Sequence, residues 1–324
     1  MPRLDPDDIP ARYDDKSRGP RLQRTLAEAG VAARRVCEQL ILDGEVEVNG
    51  TIVDTLPAFV DPERDRITVQ GRPIKRRSRK LYIMLNKPTH TVTTTADEPD
   101  LDRRTVLDLV DHPTADRLFP VGRLDFDTTG LILLTNDGEL ANKLTHPRFG
   151  VVKTYHAVVK GRLSDEDAAE LARGIYLAER KAGRTEGASR TARVEVRVHK
   201  RDRDRTVLEL KLREGRNRQV RRMLAAVGCP VKKLERVAMG PVKLKGLPRG
   251  AWRELSRGEI DALRRAITRG KGDAEKAEPK RAPVRDQGEV RSRVDKRRMK
   301  NAVARAGKPE RTRRPRRDDG GSRR

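Results

Sequence analysis

Cysteine is nearly missing from this chain of 324 residues: Cys37 and Cys229 are its only two, too few for a disulfide framework. Histidine is scarce as well, and His90, His112, His146, His156 and His199 stand at no spacing that marks a metal site. Disulfide scaffolds and zinc hydrolases are therefore disfavoured, and no metal is expected. No run approaches the ~18 consecutive apolar residues that a membrane helix needs. The opening MPRLDPDDIP lacks the apolar core of a signal peptide. A soluble, cytoplasmic protein without a membrane partner is expected. Hydrophobic residues make up 35% of the chain, lean for one compact domain but sufficient if part of it is tail.

What the chain has in excess is positive charge. Against 49 Asp+Glu stand 74 Lys+Arg, a formal net charge of +25, which points to a polyanionic partner and first of all to nucleic acid. From Lys271 to Arg324 there are 20 Lys+Arg, 9 Asp+Glu, and no Leu, Ile, Phe, Tyr or Trp. Such a segment cannot bury enough apolar surface to offset its ordering entropy, so residues 271–324 are expected to be a disordered basic tail. It carries +11 and leaves +14 for the first 270 residues, so the nucleic-acid argument does not rest on the tail alone. The tail suits either a solubilising extension or a nonspecific phosphate-binding arm. Residues 1–19, rich in Pro and Asp, read as a second disordered end.

Residues 20–74 read as a small α/β module. In RLQRTLAEAG, Leu22 and Leu26 lie one helical turn apart and Gly30 suits the position just past a helix end. ARRVCEQLILDG gives a second helix with a narrow apolar stripe of Val36, Leu40 and Ile41. Arg34 and Arg35 stand at its start, where they oppose the helix dipole, a conflict that a phosphate ligand would relieve. EVEVNGTIV alternates with period two around Asn49-Gly50, a strong hairpin signal, and DRITVQGRPI supplies a further strand. This order of basic helix pair, hairpin and VNG turn resembles the S4 RNA-binding domain. The resemblance implies RNA docking through the helix pair, with Arg21, Arg34 and Arg35 as RNA-binding residues. KRRSRK, residues 75–80, reads as a basic linker.

Residues 81–270 read as a larger α+β domain with a mixed, mostly antiparallel sheet. LYIMLNKP is an apolar strand that stops at Pro88, and RRTVLDLV reads as a short helix. LILLT is a buried strand, followed by the helix ELANKLTH with Asp137 as N-cap. KTYHAVVKG alternates as a strand around Tyr155, and SDEDAAELARG is a helix with Ser164 as N-cap. TARVEVRVHK and TVLELKLREG should pair across the polar turn RDRDR. RNRQVRRMLAAVG is a helix with Val220, Met223, Leu224 and Val227 on its apolar face, and a last helix is expected near Gly258 to Arg269. Ahead of LILLT, Gly122 and Gly130 bracket a loop holding Arg123, Asp125, Asp127 and Thr128. Acids in an RNA-binding loop face repulsion from phosphates, and capping or pairing with arginines is their ordinary explanation.

GRLDFDTTGLILLTNDG, KTYHAVVKG and REGRNRQVRRM, in this order and after an S4-like module, resemble the pseudouridine synthases of the ribosomal small-subunit synthase A family. That group also includes the large-subunit rRNA synthases B, E and F. The resemblance runs from about residue 21 to 257. It implies that the aspartate of GRLD, Asp125, is catalytic in isomerising a uridine of ribosomal RNA, and that no cofactor is needed. It also implies that Arg123 fills the space vacated by the flipped base and that Tyr155 stacks on the uracil. Leu212 would form an apolar floor under the ring, and Arg221 would pair with the catalytic aspartate. Asp127 is expected to be structural. One departure is that the family's NKP motif places Gly two residues after the Pro, where this chain has His90, which leaves the turn there in question. The long basic tail favours a large-subunit target and the synthase B branch, and a monomer is expected. The alternatives are a small-subunit synthase, a noncatalytic ribosome-assembly factor and a DNA-compacting basic protein.

Overall fold

A computed structural model describes residues 11–74, 79–95, 101–113, 115–181 and 184–277. The expectations for residues 1–10, for the linker core 75–78 and for the tail beyond 277 lie outside these. The chain forms two compact units, one of residues 1–149 with 241–268 and one of residues 150–240 with the segment from 269 onward.

The first unit opens with a turn of helix, α1 (Ala11–Asp14), and the pair α2 (Leu22–Glu28) and α3 (Arg34–Leu42). Disorder was expected up to residue 19, yet Tyr13 is buried and donates its hydroxyl to the Val48 carbonyl at 3.0 Å, and Arg18 pairs with Asp65 at 2.9 Å, which ties residues 13–18 to the module. The first of the pair ends as its sequence directs. Gly30 takes φ +82°, its N–H reaches the carbonyl of Ala27, and the N–H of Val31 reaches that of Leu26, the paired bonds of a Schellman cap. Four short strands follow, β1 (Val46–Val48), β2 (Thr51–Ile52), β3 (Ile67–Val69) and β4 (Arg72–Pro73), in the order β2-β1-β3-β4. Asn49 and Gly50 both have positive φ, which gives the β1–β2 turn the twist a two-residue hairpin needs. The core of this part is Leu22, Leu26, Cys37, Ile41, Val46 and Val48 with their neighbours. One expectation fails here: Val36 is 51% exposed, and Cys37 with Ile41 carries the buried stripe. Cys37 takes the place expected of Val36, in one cluster with Ile41, Val46 and Val48.

The unit continues with β5 (Tyr82–Lys87), β6 (Phe119–Pro120), β7 (Thr129–Thr135) and α4 (Gly138–Thr145). Every residue of β5 and β7 is buried, and they pair antiparallel from Tyr82↔Thr135 to Lys87↔Gly130. Asp137 caps α4 by accepting from the Leu140 N–H at 3.2 Å. The helix expected at RRTVLDLV is absent. The Val92 N–H reaches the Arg104 carbonyl at 2.9 Å and the Val106 N–H reaches the Val92 carbonyl at 3.0 Å, a β-bridge that commits the backbone at Thr105 to pairing across the fold and not to a helix.

The second unit is built on β8 (Lys153–Lys160), α5 (Asp165–Arg173), β9 (Tyr176–Lys181), β10 (Arg184–Arg190), β11 (Glu195–Arg201), β12 (Arg205–Leu212), α6 (Gln219–Ala226) and β13 (Val231–Met239). Its main strands run β11-β12-β8-β13, each pair antiparallel, while β9 and β10 form a separate hairpin. Ser164 caps α5 by accepting from the Asp167 N–H at 3.0 Å. Behind α5, Gly174 sits at φ +87°, and a Cβ there would lie 2.3 Å from the Thr191 carbonyl oxygen. Gly174→Ala should cost about 2–4 kcal/mol, read as a lower urea midpoint. A substitution without loss would mean that the backbone yields there.

The chain returns through β14 (Val242–Lys243), β15 (Trp252–Glu254), which pairs with β5, and α7 (Arg257–Ala277). That last helix was expected to end near Arg269, with disorder from 271. It runs eight residues further, with no proline before Pro279 to stop it. No helix of the described residues is long and apolar enough to cross a membrane.

Candidate active site

The loop between β6 and β7 alternates in burial, and the alternation decides what it offers. Leu124 and Thr128 point inward, Asp125 is half-buried, and Arg123, Phe126 and Asp127 are exposed. Its two inward residues are pinned. The Thr93 hydroxyl donates to the Leu124 carbonyl at 2.8 Å, and the Thr128 N–H closes a turn on the Asp125 carbonyl at 3.0 Å. Asp125 thus projects from a fixed turn, the condition under which a carboxylate can be aimed at a substrate.

The residue that organises this loop escaped the sequence reading. Lys87, at the end of β5, is completely buried. Its ammonium donates to the carbonyls of Pro88 at 3.0 Å, Phe126 at 3.3 Å and Thr128 at 2.9 Å. Three donors thus meet three acceptors, two of them on either side of Asp127. Burial pulls the Lys87 ammonium down to about 8, while the charges of Asp125 and Asp127 pull it back up. At neutral pH it keeps its proton and therefore all three bonds. Its signal in the sequence was a lysine at the end of an apolar strand, next to a proline.

His90 settles the turn left in question after Pro88. It adopts φ +57°, the left-handed conformation that Gly enters without cost. Two contacts offset the strain. Its N–H donates to the Phe126 carbonyl at 3.0 Å, and its ring lies 5.3 Å from that of Phe126. A departure from the motif thereby becomes a second tie on the loop that carries Asp125.

In the second unit, Tyr155 is half-buried on β8, packed against the core that also holds Leu210, Leu212, Val220, Met223 and Leu224. Its register partners are Leu210 on β12 and Arg236 on β13. Leu212, only 2% exposed, stands opposite Lys153 at the end of β12. Arg221 is half-buried on α6, beside the apolar residues that seat the helix. The loop before α6 is held by Glu214, which accepts from the Ala192 N–H at 3.0 Å and from the Gln219 amide at 2.6 Å. Two buried cations were not anticipated. Arg236 is 1% exposed, and Lys153 is brought down to about 8 by burial and by the nearby Arg236 charge.

The structure therefore gathers Tyr155, Leu212 and Arg221 around one core, and Arg123 with Asp125 on one loop. The three arginines of the helix pair are all exposed, but they are not one cluster in the sequence of elements. Arg21 stands at the N-cap of α2, while Arg34 and Arg35 open α3. Arg34 lines a cavity of about 1070 Å³ together with Arg24, Arg117, Lys143, Arg148 and Phe149. Within that cavity Glu139 draws Lys143 to 2.5 Å and Arg24 to 3.8 Å. The wall remains cationic in balance, suited to a phosphate chain. The histidines, unrelated by spacing, are partly united: His156 and His199 meet beside Glu209.

Comparison with known proteins gives the family of the chain. The sequence model of the RNA pseudouridylate synthase family matches residues 81–226, and that of the S4 domain matches residues 20–62. The chain is 41% identical over 251 residues to ribosomal large subunit pseudouridine synthase B of Bacillus subtilis, covering 78% of this chain and 98% of that protein. It is 43% identical to an uncharacterised RNA pseudouridine synthase of Aquifex aeolicus, over 76% of this chain and 94% of the relative. A solved structure described as a pseudouridylate synthase matches with a TM-score of 0.54 and 31% identity, over 76% of this chain and all of that one.

Proposed function

Since the chain belongs to the RNA pseudouridine synthases, we propose that it isomerises one uridine of large-subunit ribosomal RNA to pseudouridine. What most supports the large-subunit target is the 41% identity across 98% of a protein named for that activity. The reaction breaks the N1–C1′ bond, turns the uracil and joins C5 to C1′; the C5 proton leaves and N1 gains one, with no redox change. Asp125 is the catalytic carboxylate, acting at the sugar or the base. Arg123, exposed two residues earlier on the same loop, enters the stack left by the flipped nucleotide, whose extrusion costs a few kcal/mol. Tyr155 stacks on the uracil, Leu212 closes the apolar floor and Arg221 supplies a guanidinium to hold negative charge. Asp127 is exposed, adds its charge to the field at Lys87 and is structural.

The helix pair and its cationic cavity hold the RNA. Arg34 and Arg35 changed together to Ala should weaken RNA binding and lower the slope of log affinity against log salt by about 1.5, the loss of two phosphate contacts. An unchanged slope would remove the pair from the interface. We place the enzyme in the cytoplasm as a monomer. Pseudouridine mapping of ribosomal RNA from cells with and without this protein tests the whole reading. One large-subunit position should lose its modification, and a loss confined to the small subunit would overturn the target assignment.

A further inference from the structure

On the sheet of the second unit, the face opposite Tyr155 carries a row of side chains with a chemistry of its own. Glu209 on β12 is in register with His156 on β8, and Glu235 on β13 is in register with His156 from the other side. His199 joins the row through a bulge. The pairing of β11 with β12 shifts between Val198 and Lys200, so His199 is the extra residue whose side chain the bulge redirects. The His156 Nε2 atom lies 3.2 Å from a Glu209 carboxylate oxygen, and the two imidazoles sit 5.9 Å apart edge to face. One donor atom from each of His156, His199 and Glu209 falls within 4.8 Å of the others.

We infer that His156, His199 and Glu209 form a binding site for a divalent transition metal of the zinc type, unrelated to the uridine chemistry. Two imidazole nitrogens and one carboxylate oxygen are a zinc donor set, with water in the fourth position, whereas calcium and magnesium prefer oxygen alone. Zinc holds such donors at about 2.0–2.2 Å, which requires the donors to be about 3.3–3.6 Å apart. His156 and Glu209, at 3.2 Å, stand just inside that spacing, and both histidines are exposed, so His199 can swing the remaining distance at little cost. Glu235 adds a second carboxylate beside His156, favouring a cation there. A bound ion would fasten β8, β11 and β12 to one another.

The test is a calorimetric titration of the full chain, carrying no histidine tag, with zinc chloride. One zinc per chain is expected, and His199→Ala and His156→Ala should each weaken binding at least about tenfold. Zinc at ~100 times its dissociation constant should raise the Tm of the parent protein by several degrees, a shift that His199→Ala abolishes. Pseudouridine formation by His199→Ala, whose side chain takes no part in that chemistry, shows that the variant is folded. The absence of stoichiometric zinc binding, or binding equally tight in both variants, would overturn the site and assign any zinc uptake to other surface groups.

Discussion

Asp125→Asn should abolish pseudouridine formation, by on the order of 10⁴-fold or more, while RNA affinity stays within a few-fold of the parent. The substitution keeps the shape of the side chain and removes its charge and basicity. The turn that presents it is untouched, because the Thr128 N–H closes on the Asp125 backbone carbonyl and Leu124 is pinned by Thr93. Release of the C5 hydrogen from labelled uridine, read beside filter binding and a melting curve, separates chemistry from docking and folding. Asp127→Asn is the internal control: that carboxylate is exposed, and turnover should change by only a few-fold. Equal activity of Asp125→Asn and the parent would remove Asp125 from the mechanism. Equal loss in both variants would mean that the loop's charge matters and not one aspartate.

Lys87→Met carries the second large effect. The thioether fills much of the volume of the lysine stem but leaves the carbonyls of Pro88, Phe126 and Thr128 without their shared donor, in a site closed to solvent. Stability should fall by about 3–5 kcal/mol, the usual penalty for breaking a buried charged hydrogen-bond set. The urea midpoint reads this, and turnover measured well below that midpoint should also fall, because the turn bearing Asp125 loses its anchor. Lys87→Arg should not restore it, since a planar fork cannot aim three N–H groups at one cluster of carbonyls. Parent-like stability and turnover in Lys87→Met would show that the loop stands by itself. His90→Gly makes a useful companion, because it relieves the backbone strain while deleting the ring contact with Phe126.

Much of the fold was legible because it is local. Asn49-Gly50, the Gly30 cap, Asp137 and Ser164 each dictate a backbone geometry within a few residues, and each occurs as read. Errors arose where packing or competing backbone bonds decide. Val36 and Cys37 are adjacent on α3, and only the sheet above selects which is buried. The bridge of Thr105 with Val92 replaced a helix whose apolar pattern was sound. The hairpin of β9 and β10 went unread because its charged sequence has no alternation. At the site, Asp125 stood out by its motif, but Lys87 works through carbonyls some forty residues away, and nothing in the local sequence announces such partners. The meeting of His156, His199 and Glu209 is likewise a product of strand register, invisible to spacing rules.

The way Lys87 grips its loop bears on how this enzyme can change over generations. Its acceptors are main-chain oxygens, which every amino acid supplies. The side chain at 126 can therefore vary without loosening that grip, provided the backbone path is kept, and the one at 127 can vary in shape while it keeps the negative charge that helps hold the Lys87 proton. Variation at those two positions could retune the neighbourhood of the target nucleotide while the aim of the carboxylate is inherited unchanged. A library randomised at Phe126 should accordingly retain a large fraction of folded, active members, whereas one randomised at Lys87 should retain almost none.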